Sequence, residues 1–346
     1  MNSNPEVLVW NEGSAGRIHL NRPKALNALN NGMVRLILRA LSEFEAQDHI
    51  RAVVVTAEGG KSFCAGGDLK EIYHLARQDR DLAVRIWSEE YILNARIASC
   101  SKPWVCLVDG LCMGAGMAMA VHGRSAVLSG SALLSMPEVR VGFYPDVGVT
   151  FRLCRLPDRL GFYFGITGEP IPPAHAVEFG LARAVVPKSL HAELAAEIAR
   201  GGDPHAQIAR FALPMESPDL AKLSAFCGEV FSAPTWKECS ERIAAHRSDI
   251  GEFVSKTIRG CSPASLQIAF NALKTAEEIS SVSQCLERDM TMNAMILERH
   301  DFYEGIRTLL LARELDPVWK DDPDAVWSPE FHDRTFERLK GVLVAP

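Results

Sequence analysis

Several features that would mark large functional classes are missing from this 346-residue chain. There is no run of Lys or Arg, and 37 basic side chains are outnumbered by 43 acidic ones, for a net charge of -6. The basic footprint of a nucleic-acid binder is therefore absent. No apolar stretch approaches the ~20 residues of a membrane span, so no membrane partner is expected. The nine cysteines form no C-x-x-C pair and are odd in number, which argues for free thiols in a reducing compartment. The start, MNSNPEVLVW, has neither a basic n-region with an apolar h-region nor an Arg-rich amphipathic pattern, and a cytoplasmic location is expected. Ten histidines include no H-x-x-x-H spacing, so no metal is implied. Gly114-Ala115-Gly116 lacks the third glycine of a dinucleotide fingerprint, so NAD is not implied either.

What remains is an ordinary globular composition, 47% apolar and 23% charged, in a chain long enough for one large domain or two smaller ones. Val7 to Trp10 and Arg17 to Leu20 alternate like a hairpin, and Asn30 is placed to cap a helix with Met33, Leu36, Ile37, Ala40, Leu41 and Phe44 inward. Arg51 to Thr56 reads as a strand, followed by the Gly-rich turn SFCAGGDL at 62–69. A helix over 81–99 has Leu82, Ile86, Leu93 and Ile97 on its inner face, and Glu90 shares that face. Glu90 is then either a partner for a core Arg or a carboxylate at a cavity edge, since an unpaired buried charge is costly. The strand–strand–helix rhythm of the first segment returns at 51–76 and 105–122. Beyond about residue 190 only helices are expected. The division read from this is an α/β core over 1–190 and a helical region over 191–346.

The most informative stretch runs from Val105 to Gly148. An apolar strand, Trp104 to Val108, breaks at Asp109-Gly110 and passes through Gly114-Ala115-Gly116 into a small-residue helix. A strand end that turns into a helix N-terminus presents unpaired N–H groups. Two acids follow, Glu138 and Asp146, each directly after a proline. Read by themselves, Asp146 suits an N-cap, Glu138 an exposed loop acid, and the glycines ordinary tight turns.

Taken together, NRPKALNAL (21–29), SFCAGGDLKE (62–71) and KPWVCLVDGLCMGAG (102–116) resemble the crotonase (enoyl-CoA hydratase/isomerase) superfamily. EEYILN (89–94), SMPEVRVGFYPDVG (135–148), SPASL (262–266) and RHDFYEGIR (299–307) are similar to its 3-hydroxyisobutyryl-CoA hydrolase branch. The resemblance implies a spiral of repeated ββα units with a helical C-terminal region, an acyl-CoA substrate, and no cofactor beyond the CoA carried by that substrate. It also allows a homo-oligomer, because members often assemble through their C-terminal helices, although the longer tail over 204–236 is placed to interfere with that packing.

Carried over residue by residue, the two backbone donors that polarise the thioester carbonyl fall on Gly67 and Ala115; relatives usually have Gly at the second. One well-placed donor of this kind stabilises the transition state by roughly 3–4 kcal/mol. The implied substrate-binding positions are Glu90, Gly114, Ala65, Asp68, Leu69, Lys24 and Ala25, with Asp68 also suited to cap the next helix and Arg22 to meet a phosphate. Hydratases of the superfamily carry two glutamates. One matches Glu138, but the other falls on Ala118, which cannot move a proton. This chain adds Asp146 instead, where hydratases commonly have Gly. Glu138 is expected to act as nucleophile or general base, and Asp146 to orient water or hold a hydroxyl of the acyl group. Val149 and Thr150 after that acid depart from the branch's small residues and point to a changed acyl pocket. The expected activity is hydrolysis of a short 3-hydroxyacyl-CoA thioester. A hydratase or isomerase with rearranged acids, and a catalytically silent acyl-CoA-binding protein, stand as alternatives.

Overall fold

The computed structural model describes residues 5–312 and 315–325. Its contacts divide the chain into two compact units. The first takes the described residues of Met1–Asp68, Glu89–Ser135 and Pro170–Pro218; the second takes those of Leu69–Ser88, Met136–Glu169 and Asp219–Pro346. These bounds differ from a single cut at residue 190, because the segment after Ser135 groups with the C-terminal helices.

The first unit carries the expected ββα rhythm. Strands β1 (Val7–Glu12) and β2 (Ala15–Leu20) pair antiparallel, with the ladder running to Glu12↔Ala15, so the turn is tighter than the sequence suggested. Helix α1 (Asn31–Glu45) begins where the Asn30 side chain accepts the Met33 N–H at 2.9 Å. This is the N-cap read from sequence. Its inner face is as expected except for Leu36, which is half-buried while Val34 is inside. Phe44 lies over Gly16 of β2 so closely that a Cβ there would sit 2.5 Å from the ring.

The remaining strands alternate between two sheets. β3 (Ala52–Ala57), β5 (Trp104–Val108), β7 (Val127–Leu128) and β9 (Ala184–Val185) extend the hairpin in the order β1-β2-β3-β5-β7-β9. β4 (Ser62–Cys64), β6 (Leu111–Met113) and β8 (Leu133–Ser135) form a second, three-stranded sheet. Every pairing after the first is parallel, so each neighbour is reached by a crossover. Valine-rich strands suit this setting because a parallel sheet is covered on both faces. Val54, Val105, Leu107 and Val127 share one core with Leu194, Ala195 and Ile198.

Helix α3 (Arg80–Ala98) forms where expected, but its buried face is turned from the predicted one. Ala83, Val84, Trp87, Glu90, Tyr91, Leu93 and Ile97 are buried, whereas Leu82 and Ile86 are half-exposed. Apolar residues at five of the first eight positions offer two overlapping stripes, and burial selects the one with Trp87.

The second unit is mostly helical, and its later helices have sequence-encoded starts. Thr235, Ser248, Ser262 and Ser281 each accept the N–H three residues on, and Pro263 occupies a first-turn position that needs no donor. No strand occurs beyond residue 190 among the described residues. Two motifs distant in sequence meet here. The Ser262 hydroxyl of SPASL donates to Asp301 of RHDFYEGIR at 2.6 Å, and Asp301 also accepts the Lys320 N–H at 2.7 Å. Within the same unit the backbones of 141–142 and 301–305 approach closely: a Cβ on Gly142 would lie 2.1 Å from the Asp301 carbonyl oxygen. Trp87 stacks on Phe143 with ring centroids 5.2 Å apart, and Phe143 meets Phe302 edge-on. This packing explains why the 136–169 segment belongs with the C-terminal helices.

Glu304 closes the same region. Its carboxylate takes both arms of the Arg307 guanidinium at 2.9 Å and the Val318 N–H at 3.0 Å. The Arg307 pairing first, then the Val318 bond, pull its pKa down to about 2. A depressed carboxylate stabilises the fold above its unfolded-state value and loses that contribution as pH falls towards the folded one. Glu304→Gln is therefore expected to lower stability at pH 7, with the gap closing between the ordinary carboxylate range and pH 2. Denaturant unfolding of both proteins at pH 7, 4 and 2.5 checks this; a gap that persists at pH 2.5 would contradict it.

Candidate active site

The first unit assembles the donor half of the site. β4 and β6 are parallel neighbours, so both deliver their C-terminal ends to the same edge of the small sheet. β4 runs into Ala65-Gly66-Gly67-Asp68, and β6 runs through Gly114 into helix α4 (Ala115–His122). The first turn is tied to the 21–29 loop: Ala65 N–H donates to Leu26 O, Leu29 N–H to Gly66 O, and Asp68 N–H to Leu29 O. Gly66 has φ +111°, a conformation open to glycine, and a Cβ on it would lie 3.3 Å from Met113 O and 3.8 Å from Ala115 N. The two turns are thus packed against each other.

Neither the Gly67 nor the Ala115 amide donates to the backbone of another described residue, while the Ala65, Asp68, Gly114 and Ala118 amides on the same turns do. Backbone donors in folded proteins are nearly always paired, so two idle ones on adjoining turns are what a carbonyl-binding site requires. Ala115 starts α4, which adds the helix dipole in the favourable sense.

Glu90 belongs to this half. It is 7% exposed, and its Oε2 lies 2.9 Å from where a Cβ on Gly67 would stand. Its neighbour Glu89 is pinned from α1 by both arms of Arg35 at 2.6 Å and by Asn31 at 3.0 Å, which fixes this stretch of α3. Glu90 is hence a buried carboxylate beside the Gly67 turn. Burial pushes the nearby Cys64 thiol up to about 12. It is inert as a nucleophile at neutral pH.

The 21–29 loop is organised by a residue that sequence reading passed over. Asn27, fully buried with φ +56°, accepts from Arg22 N–H and donates to Glu58 O and Ser62 O. Arg22 itself is taken up by Asp68 at 2.7 Å and Glu6 at 3.1 Å. That removes Arg22 as a free phosphate contact and gives Asp68 an ion pair to hold. Lys24 and Ala25 lie on a single 3-10 turn, Pro23–Ala25, with Lys24 exposed. Leu69 is the first residue of α2 (Leu69–Ala76), in the second unit, and is half-buried.

The second unit carries both acids. Glu138 opens a short turn, Glu138–Val141, directly behind Pro137 and is 8% exposed. The exposed-loop reading therefore fails. Asp146 is 4% exposed and is not an N-cap: the next helix, Thr150–Leu153, is preceded by Val149 with no side-chain cap. Its carboxylate meets the Asn293 amide instead, Nδ2 to Oδ2 at 3.3 Å. Val149 and Thr150 are buried, and the Thr150 hydroxyl accepts from Arg288 at 2.7 Å. That hydroxyl is committed to the helical framework.

No group of three or more His, Cys, Asp or Glu suited to a metal ion occurs among the described residues. None of their helices is long and apolar enough to cross a membrane. Every cysteine is unbridged.

Parallel strands that feed two glycine turns with idle amides, repeated ββα units and a helical C-terminal region together define a crotonase-type fold. The chain belongs to the enoyl-CoA hydratase/isomerase family, whose pattern matches residues 15–336. It is similar to the mitochondrial 3-hydroxyisobutyryl-CoA hydrolase of Xenopus laevis, at 32% identity over 96% of this chain and 89% of that protein. The protein of that name from Homo sapiens is 31% identical over 91% and 84%. Among solved structures, a carnitinyl-CoA dehydratase from Mycobacterium thermoresistibile superposes with a TM-score of 0.88 at 33% identity, covering 96% of each chain. An enoyl-CoA hydratase from Rhodobacter sphaeroides 2.4.1 gives 0.87 at 32%, over 98% and 99%.

The close fit of the two turns is testable. A Cβ on Gly116 would lie 2.4 Å from Cys64 O and 2.7 Å from Cys64 Cβ. Gly116→Ala is expected to cost about 1–3 kcal/mol of stability, as overpacking does, and to push the Ala115 turn off the β4 end. Chemical denaturation measures the first effect and thioester turnover the second; wild-type values for both would refute the close-packing account.

Proposed function

We propose that this protein hydrolyses short 3-hydroxyacyl-CoA thioesters, with 3-hydroxyisobutyryl-CoA as its substrate, giving 3-hydroxyisobutyrate and CoA as in valine breakdown. The names of the similar curated proteins support the substrate. The reaction type is carried by one observation about the acids. Hydration of a double bond by the two-glutamate route needs a carboxylate on α4, and that position is the buried Ala118. The names of the two similar solved structures would suggest such chemistry, but this chain lacks the group for it. What it has is Glu138 and a second buried acid, Asp146, held by an amide.

In this scheme the thioester carbonyl oxygen accepts from the Gly67 and Ala115 amides. As a nucleophile adds to the carbon, charge grows on that oxygen, and fixed donors stabilise it without reorganising. Glu138 acts as nucleophile or as the base that deprotonates water. Asp146 orients the water or holds the acyl hydroxyl, and Glu90 contacts the substrate. Collapse of the adduct breaks the C–S bond, and the CoA thiolate takes up a proton that comes from the water consumed. Where Glu138 attacks directly, that water opens the mixed anhydride, releasing the hydroxy acid and restoring the carboxylate. Only water is consumed, so no cofactor is required. We propose that the enzyme works in a reducing compartment, the cytoplasm, as nine free thiols suit. A homo-oligomer is the expected assembly.

Release of free thiol from 3-hydroxyisobutyryl-CoA, followed with a thiol reagent, tests the assignment. Glu138→Gln is expected to lower turnover about 10²–10⁴-fold. Asp146→Asn should lower it strongly while CoA binding is retained. Wild-type activity in Glu138→Gln, or hydration of an enoyl-CoA without thiol release, would sink the hydrolase reading. Single turnover in ¹⁸O-water separates the two roles of Glu138: label in its side chain means direct attack.

A further inference from the structure

The loop that carries Asp146 is held in an uncommon shape by one helix. Val147 sits at φ +50°, a region costly for a β-branched residue, and Gly148 follows at +73°. Such a turn persists only when its surroundings over-determine it. They do: the Gly148 N–H donates to Asp289 Oδ2 at 2.8 Å. Asp289 Oδ1 takes Arg288 at 2.7 Å, and Arg288 is tied to Ala272 O at 2.6 Å, Thr275 Oγ1 at 2.9 Å and Thr150 Oγ1 at 2.7 Å. These contacts fix the backbone.

Asn293 reaches the Asp146 carboxylate, Nδ2 to Oδ2 at 3.3 Å. It stands four residues after Asp289 on the helix Val282–Ile296, hence on the same face, and is 3% exposed. Its Oδ1 accepts from the Tyr144 hydroxyl at 2.8 Å, and Tyr144, fully buried, also reaches Asp289 O at 3.1 Å. With the oxygen turned to Tyr144, the amide nitrogen is turned to Asp146 Oδ2. An amide N–H needs an acceptor, and a carboxylate offers one when ionised. The opposite amide sense would set an oxygen against that carboxylate.

We infer that Asn293 is a positioning residue for Asp146, with Tyr144 setting the sense of its amide, so that the carboxylate is presented in a single orientation. The inference deepens the role given to Asp146 above and rests on it. Charged and titratable groups of this unit that act on Tyr144, the partner of Asn293, are Asp289, Asp146, Arg288 and Cys285. Burial drives Tyr144 and Cys285 upward, so neither titrates near neutrality, and Arg288 stays charged beside Asp289. Loss of the Asn293 donor leaves a buried carboxylate with less to stabilise its charge, and its protonation moves to higher pH.

The test compares kcat, KM and the pH profile of thiol release in Asn293→Leu, Asn293→Asp, Tyr144→Phe and Asp146→Asn. Asn293→Leu should lower kcat about 10- to 100-fold, the range for a lost hydrogen bond to a charged group, with KM changed less than about threefold. The acid limb of kcat should move to higher pH, further in Asn293→Asp, where a second carboxylate replaces the donor. Tyr144→Phe should move kcat and the limb the same way by less. Should Asn293→Leu misfold, Asn293→Asp and Tyr144→Phe carry the comparison. Lowered thermal stability with wild-type kcat and an unmoved limb would overturn the inference while leaving the hydrolase reading intact. Full activity in Asp146→Asn would overturn both the role of Asp146 and the inference built on it.

Discussion

The parallel pairing of β4 with β6 is the constraint on which the donor site depends. Two strands that run the same way must end at the same edge, and whatever follows each of them becomes a neighbour of the other. Here the followers are a turn carrying the Gly67 amide and a helix start carrying the Ala115 amide. Because both donors are main-chain groups on packed turns, they pay almost no side-chain entropy to be held. The close approach demands glycine at 116, where Cys64 leaves no room for a Cβ, and favours it at 66, where φ is positive. It does not demand glycine at 115. An alanine there keeps its N–H, so the departure from the usual residue changes shape next to the donor without removing it.

The acids are secured by different physics. A carboxylate in a dry setting is costly unless it is paired or hydrogen-bonded, and side chains must be oriented by other side chains. The second unit meets this with a polar network inside its helical core: Arg288 and Asp289 brace the turn at Gly148, and Asn293, itself held by the Tyr144 hydroxyl, reaches Asp146. Buried ion pairs such as Arg288–Asp289 are poor sources of net stability. Their use here is geometric, since they hold Val147 in a conformation it would not choose. The Gly67 and Ala115 amides of the first unit are thus held by backbone packing, and Asp146 of the second unit by a side-chain network.

That contrast also explains what could be read from the sequence. Strand, glycine turn and helix start lie within a dozen residues of one another, so the two turns and the ββα rhythm were visible as local patterns. The Asn30 cap and the Ser262 and Pro263 helix start were legible for the same reason. The face of α3 was not. Leu82, Ala83, Val84, Ile86 and Trp87 support two apolar stripes, and only tertiary packing selects between them. Asp146 looked like a helix cap because its partner is 147 residues away. Nothing local distinguishes a capping Asp from one held by a distant amide. A signal did exist in Asp289 and Asn293, polar residues at i and i+4 on the face that also buries Cys285, Leu286 and Met292. Two polar groups inside an apolar face need partners, and the partners define the site.

The same reasoning separates hydrolysis from hydration more firmly than overall similarity can. Family members share the donor turns whichever reaction they perform, because each must stabilise negative charge on a thioester oxygen, and a fold that aligns well reports only this common requirement. The distinguishing residues are those that move protons to or from the acyl group. Position 118 lies at the fourth residue of α4, fully buried among Met117, Met119 and Ala120, and a methyl group there has no proton to offer. A carboxylate could not be restored at that site by a shift of the helix, since Gly116 is locked against Cys64 two residues earlier. With alanine at 118 and Asp146 buried against the Asn293 amide, the acids of this chain fit the proposed hydrolysis better than hydration. Attack at the carbonyl carbon is the chemistry those two facts leave open.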